Sequence, residues 1–373
     1  MAMKFATDPV AGSQRARAPG WMYFVAGTFI TYYVVMCYSE LYEPRRIGID
    51  GGFKDGAMGI TRVVQRSPAA RAGIQAGDRL LAIDESGIRD WEDWRRFVAT
   101  VETGRDYRFE LERAGQRSEF SVKPGRQPGD PFARLERKRF VQFFVLLLAL
   151  VLAFRRPHER VAQIAALFLA AVGTAPLFPG TEMTAFWRNL PFPLGAALWI
   201  PQITHLMLLP LFFTLFAVFP RCLFRGFWPW VVIWSPAVVA ATWWFPHVYE
   251  HIYHPPVTLD LPVWFRFAIG LSVLVYGCGG LIALVLNFCR LPERQDRRRM
   301  RVLLVGTLIG WLPGLLFLAA IFWGTLTESE FVWFFVSTDY RLFALGCFVA
   351  FPVSLAYALV RHRVLDISTS LRC

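Results

Sequence analysis

Arg290-Leu-Pro-Glu-Arg-Gln-Asp-Arg-Arg-Arg-Met-Arg301 is a short, strongly basic stretch between two long apolar runs, residues 265–289 and 302–323. Apolar runs of that length can cross a bilayer as helices, and a loop crowded with arginine stays on the cytoplasmic side. This stretch therefore orients the chain, and the other segments follow from it by alternation.

Working outward, further apolar runs cover residues 140–154, 161–178, 194–219, 227–245 and 341–360, and an earlier one covers 21–38. The expected fold is an α-helical polytopic membrane protein of about eight transmembrane helices, one anchor followed by a block of seven over residues 140–360. The cytoplasmic loops are then 155–160, 220–226 and 290–301, together with a tail, 361–373, and each holds at least two arginines. The opposite loops carry Glu182 and Arg188, then His247, Glu250, His251, His254, Asp260 and Arg266, then Glu328, Glu330, Asp339 and Arg341. The tail 1–20 carries Lys4, Arg15 and Arg17, and the run 21–38 ends on Cys37-Tyr38-Ser39-Glu40 without a small-residue cleavage site, so it reads as an uncleaved signal anchor. The run 140–154 is short for a span, and Arg134, Arg137, Lys138 and Arg139 precede it on the outer side. It is kept as a span because omitting it inverts every later loop and reverses the arginine bias.

Hydrophobic residues make up 55% of the chain, and mean hydropathy is +0.38. The net charge of +12 does not call for nucleic acid, because the arginines fall in loops where topology and anionic lipid account for them. The six cysteines include no CxxC pair, so neither a disulfide framework nor a zinc knuckle is expected, and no cofactor is.

Residues 47–124 change character. Short alternating segments at 59–64, 79–83, 107–112 and 119–122 read as strands, and Trp91, Trp94, Val98 and Val101 recur at helical spacing behind a capping Asp90. This is an inserted α+β domain. Its Ser67-Pro68-Ala69-Ala70-Arg71-Ala72-Gly73-Ile74-Gln75-Ala76-Gly77-Asp78-Arg79-Leu80-Leu81-Ala82-Ile83-Asp84 resembles the PDZ family, in the bacterial form found in periplasmic proteases and membrane sensors. PDZ domains bind extended or C-terminal peptides by adding a strand to an open sheet edge. The resemblance implies that Met58-Gly59-Ile60 holds the peptide carboxylate and that Ile60, Thr61, Arg62, Val63 and Val64 form the receiving edge; residues 51–57 depart from a minimal binding loop and are expected to cover the groove.

The helical block also resembles a known type. Residues 298–313 and Ala356-Tyr357-Ala358-Leu359-Val360-Arg361-His362-Arg363-Val364-Leu365-Asp366-Ile367 look like the membrane region of bacterial sensors that precede a histidine kinase or serine phosphatase. No kinase or phosphatase motif follows before Cys373, so the resemblance implies a truncated sensor or one that signals through a separate kinase or phosphatase.

A membrane metalloprotease needs HExxH on a membrane helix. The nearest match, His158-Glu159-Arg160-Val161-Ala162, lacks the second histidine and lies in a loop, and no GxSxG-like serine occurs in any span. His247, Glu250 and His251 fit the inverted HxxEH pattern, a weak metal candidate in an external loop. Gln202, Thr204 and His205, between Pro201 and Pro210, are a polar cluster in an apolar run, read either as an intramembrane ligand site or as interhelical hydrogen bonding. The leading reading is a non-enzymatic sensor in the bacterial inner membrane. Its PDZ domain lies outside, both tails lie inside, and its partners are a peptide or protein C-terminus and membrane lipids. A PDZ-containing membrane protease or protease cofactor is one rival, and a ligand-binding or transport bundle is another.

Overall fold

The computed structural model describes residues 18–42, 47–102, 104–125, 137–175, 179–254, 262–291, 294–324 and 338–361. The N-terminal residues 1–17, the acidic loop 325–337 and the tail 362–373 lie outside them.

Helix α1 (Gly20–Tyr42) carries the first apolar run. The insert follows as β1 (Ile49–Lys54), β2 (Ala57–Val63), α2 (Pro68–Ala72), β3 (Arg79–Ile83), β4 (Ser86–Gly87), α3 (Trp91–Thr100), β5 (Tyr107–Arg113) and β6 (Gln116–Val122). The strands form one antiparallel sheet in the order β1-β2-β3-β5-β6, with β4 paired to β3. Alternation explains its core: Tyr107, Phe109 and Leu111 of β5 are buried, while Arg108 between them is exposed. They pack with Ile47, Met58, Ile60, Leu80, Ile83 and Val122. The Ser67 hydroxyl caps α2 by accepting the Ala70 N–H at 3.1 Å. Asp90 caps α3 by accepting the N–H groups of Glu92 and Asp93 at 2.8 and 2.9 Å.

The remainder is helical: α4 (Arg137–Arg155), α5 (Arg160–Thr174), α6 (Thr181–Arg188), α7 (Phe192–Ala197), α8 (Trp199–Leu206), α9 (Leu208–Val218), α10 (Trp228–Tyr253), α11 (Val263–Cys289), α12 (Arg294–Gly324), α13 (Thr338–Phe348) and α14 (Ala350–Arg361). Among the described residues, four helices are long and apolar enough to cross a membrane: Gly20–Leu41, Trp228–Tyr253, Phe267–Cys289 and Met300–Phe317. The pair Phe192–Leu206 and Leu208–Val218, bent by 61°, makes a fifth if it counts as one span.

The expected count of about eight is therefore not reached by length and composition, and the reasons are local. Helix α4 opens on Arg137, Lys138 and Arg139, α5 has only 15 residues, and the last run breaks between α13 and α14. The break after Leu206 lies one turn before Pro210, whose ring meets the carbonyl four residues back.

The bundle core is aromatic. Phe212 and Trp311 stand with centroids 4.2 Å apart, and Phe168 and Phe351 lie 5.8 Å apart in an edge-on contact. Helices α12 and α14 meet closely at Gly306 and Gly310, where an added Cβ would stand 2.4 Å from the Ser354 Cβ and 2.7 Å from that of Phe351. Buried Asn287 of α11 donates to the carbonyls of Phe216 and Phe219 at 2.8 and 3.0 Å, satisfying the frayed end of α9. Cys37, Cys278, Cys289 and Cys347 are free thiols.

Candidate functional site

The first two strands decide where a peptide can pair. Lys54-Asp55-Gly56-Ala57 is a two-residue hairpin with both central residues left-handed, Asp55 at φ 53° and Gly56 at φ 68°. It folds β1 back along the whole of β2, in register from Lys54 opposite Ala57 to Ile49 opposite Val63, with an irregularity between Asp50 and Gly51. On its other side β2 pairs Met58 with Leu80 and Gly59 with Arg79, and the Ile60 N–H donates to the Asp78 carbonyl at 2.8 Å. The Val64 N–H donates to the Gly48 carbonyl at 2.8 Å.

Of the expected binding residues, Met58, Gly59 and Ile60 lie between β1 and the β3 side of the sheet, while Arg62, Val63 and Val64 are matched by Asp50, Ile49 and Gly48. A peptide adding on the β1 side of β2 would have to displace β1. Residues 51–54 are not a cover over a groove; they belong to the edge strand itself. The signal that finds this in sequence is Asp55-Gly56, a strong short-range hairpin mark between two apolar stretches.

Among the described residues the sheet ends on β6 at one side and on β1 at the other, where β2 is the sole neighbour of β1. At its far end Phe53 meets Trp91, the first residue of α3, edge-on at 5.1 Å. At its near end stands Ile47-Gly48-Ile49, with Gly48 at φ 87° between two buried isoleucines. Where a right-handed residue adjoins a left-handed one, successive N–H groups can converge on an anion. Gly51 is required by crowding, since a Cβ there would stand 2.3 Å from the Gly59 carbonyl oxygen.

The strand after the family motif is held by a buried carboxylate. Asp78 accepts from Arg113 Nε at 2.6 Å and Nη2 at 2.7 Å, and from the Gln75 N–H at 2.8 Å. The Arg113 hydrogen bond, aided by that N–H, holds the Asp78 carboxyl below the usual aspartate range. Arg113 also donates to the Gly73 carbonyl at 2.8 Å, tying the end of α2 to β5.

Inside the bundle, the polar cluster divides. Gln202 is fully buried and accepts from the Tyr32 hydroxyl of α1 at 2.5 Å. His205 Nε2 lies 2.9 Å from the Thr174 hydroxyl of α5, and its ring meets Tyr32 edge-on at 5.3 Å. Thr204 instead turns back to the Ile200 carbonyl of its own helix at 2.7 Å. Gln202 and His205 thus tie α8 to α1 and α5 as interhelical hydrogen bonds.

The same seam holds a partner that sequence reading misses. Arg139, left in an awkward outer cluster by its charge, is buried and ion-paired through two nitrogens with Glu40 of α1. Nothing local marks it, because the two residues are 99 positions apart.

His247, Glu250 and His251 lie on the last turns of α10. His247 Nδ1 stands 2.7 Å from the Trp243 carbonyl and its ring stacks on Trp243 at 4.0 Å, while Glu250 pairs with His254 at 3.1 Å. Among the described residues, no three His, Cys, Asp or Glu side chains converge as metal ligands. These donors do not fit a zinc site.

A family model described as the PDZ domain matches residues 59–113, so the inserted sheet is a PDZ domain in a chain with membrane-type helices. Over 67 residues the chain is 37% identical to an Agrobacterium fabrum protein named as a candidate zinc metalloprotease, covering 18% of each chain. Over 69 residues it is 33% identical to the regulator of sigma E protease of Haemophilus influenzae, covering 18% of this chain and 15% of that one. The chain spans less than a fifth of the length of these relatives. Both relatives are named for proteolysis, and neither name denotes a sensor. That overturns the sensor reading and the non-enzymatic reading, and it leaves the kinase or phosphatase partner without support.

Proposed function

We propose that the chain acts in membrane proteolysis, as a PDZ-containing membrane protease or protease cofactor that captures an extended or C-terminal peptide along β1. The likeness to two proteins named for proteolysis carries this reading. The open edge of β1 supports it, because its unpaired main-chain groups match those of an incoming strand and Ile47-Gly48-Ile49 stands where a terminal carboxylate would rest. Met58 to Val63 serve behind this strand as its rigid support.

The proposed setting is the inner membrane of a bacterium, with the PDZ domain of residues 47–124 outside and both tails inside. The arginine bias of residues 155–160, 220–226 and 290–301 supports that orientation. Residues 140–360 form the membrane domain that would receive the captured segment.

The test uses the full chain in lipid nanodiscs. Peptides with a free C-terminus should bind and be photocrosslinked from Phe53, and C-terminal amidation should weaken binding at least about tenfold, the worth of one charge-assisted contact. Addition of the chain should accelerate cleavage of a membrane-tethered reporter ending in such a peptide. Equal cleavage of amidated and free-ended reporters, or none dependent on the chain, refutes the reading.

A further inference from the structure

Strand β1 carries an aromatic pair at the end away from Ile47-Gly48-Ile49. Phe53, the fifth residue of the strand, meets Trp91, the first residue of α3, edge-on at 5.1 Å. Phe53 is half-buried against the PDZ core, while Trp91 at the rim is 48% exposed. Trp94 and Phe97 of α3 pack against that same core, so α3 lies on the core side of β1. Between Ile49 and Phe53 the core face of β1 carries only Gly51, and no other side chain of the strand separates its two ends on that face.

The register of an added strand follows from these positions. A peptide with its carboxylate at Ile47-Gly48-Ile49 has its end at the start of β1, so its earlier residues lie beside later residues of β1 and the two run antiparallel. The terminal residue stands beside Ile49, and the residue four before it reaches Phe53. Directly opposed residues of an antiparallel pair point to the same face. Ile49 and Phe53 both pack toward the core, so these two peptide side chains turn toward α3. The alternation of β1 is intact, because the irregularity opposite Asp50 and Gly51 places the extra residue, Thr61, in β2.

We propose, resting on the reading of β1 as the receiving strand, that Phe53 and Trp91 form a specificity subsite for an aromatic side chain four residues before the peptide's C-terminus. An edge-on ring pair has a face and an edge left to offer, and a third ring completes the cluster with more than its buried area. An aliphatic side chain gains the area alone. A guanidinium placed there would lose water without a carboxylate to replace it, since Glu92, next to Trp91, is ion-paired with Arg96. The residue three before the terminus points to the opposite face and misses the pair.

The experiment measures binding of labelled peptides to the full chain in nanodiscs by fluorescence anisotropy. The peptides share one free-ended sequence and carry phenylalanine, alanine or arginine four residues before the terminus, or phenylalanine three before it. Phenylalanine at the fourth position should bind about fivefold more tightly than alanine, and moving it by one residue should remove the gain. Trp91→Ala should bring the phenylalanine-to-alanine ratio close to one, and Trp91→Phe should keep most of it. Trp91 is half-exposed, so its variants report even if Phe53→Ala loosens β1. Equal affinity for the phenylalanine and alanine peptides, with amidation still weakening both, overturns the subsite and leaves β1 as the receiving strand. A preference that survives Trp91→Ala, or tighter binding of arginine than of phenylalanine, overturns it too. Failure of every peptide to bind defeats the β1 reading and the subsite together.

Discussion

Replacing Arg139 by methionine tests how the PDZ domain is anchored. The domain leaves α1 just after Glu40 and returns to the bundle at α4 just before Arg139, so this ion pair joins the two stems of the insert. Arg139 Nε stands 3.0 Å from Glu40, its Nη1 donates to Gln142 at 2.7 Å, and Gln142 in turn donates to the Ala175 carbonyl at 2.5 Å. The Tyr33 hydroxyl donates to the Arg139 carbonyl at 2.7 Å. The side chain of Arg139 is 5% exposed and that of Glu40 22%. Removing one member of a buried pair costs ~3–5 kcal/mol, because the other charge stays buried without a counterion. Glu40 keeps some access to water, which places Arg139→Met near the lower figure, about 150-fold in the folding equilibrium.

The assay is a double-mutant cycle on unfolding in mixed micelles, with Glu40→Gln, Arg139→Met and the pair together. Each single change should cost about 3 kcal/mol, and the double change little more than either, since a desolvated pair can be exchanged for neutral groups almost without loss. Singles that cost less than about 0.5 kcal/mol, or costs that simply add, would show that the stems are held by packing alone.

Three further outcomes follow from the PDZ domain and α10. Gly51→Val should shift β1 away from β2, because its Cβ would enter the space of the Gly59 carbonyl; peptide binding should fall at least about tenfold, and unaltered binding measured by fluorescence anisotropy would contradict β1 as the receiving strand. The Asp78 carboxyl is held below its unfolded value, so its contribution to stability is present above about pH 4 and is lost as pH falls through the folded value; hydrogen exchange at β3 and β5 should show that loss, and Asp78→Asn should remove this part of the pH dependence. Joint His247→Ala and His251→Ala should leave zinc content and any proteolysis unchanged, and a measured loss of bound zinc would reverse the assessment of that helix end.

Local patterns made much of the molecule legible before any contact was known. Each apolar run of the sequence is mostly helical among the described residues, and Ser67-Pro68 and Asp90 start the helices they were expected to start. These features depend on neighbours within a turn or two, so the chain states them directly. Apolar length proved less informative about spans. Pro210 divides one run, arginines shorten another, and neither effect registers in a simple tally of hydrophobic residues.

Tertiary structure decided which strand is an edge and which charge is buried. Asp55-Gly56 marks β1 and β2 as a hairpin, but only the further pairing of β2 with β3 leaves β1 at the edge. Tyr32 meets Gln202 across 170 positions, and Glu40 meets Arg139 across 99. A buried polar group must find a partner wherever the fold supplies one, and along the chain that partner bears no mark. Periodicity is a property of adjacent residues; exposure of an edge and compensation of a charge are properties of the assembled fold.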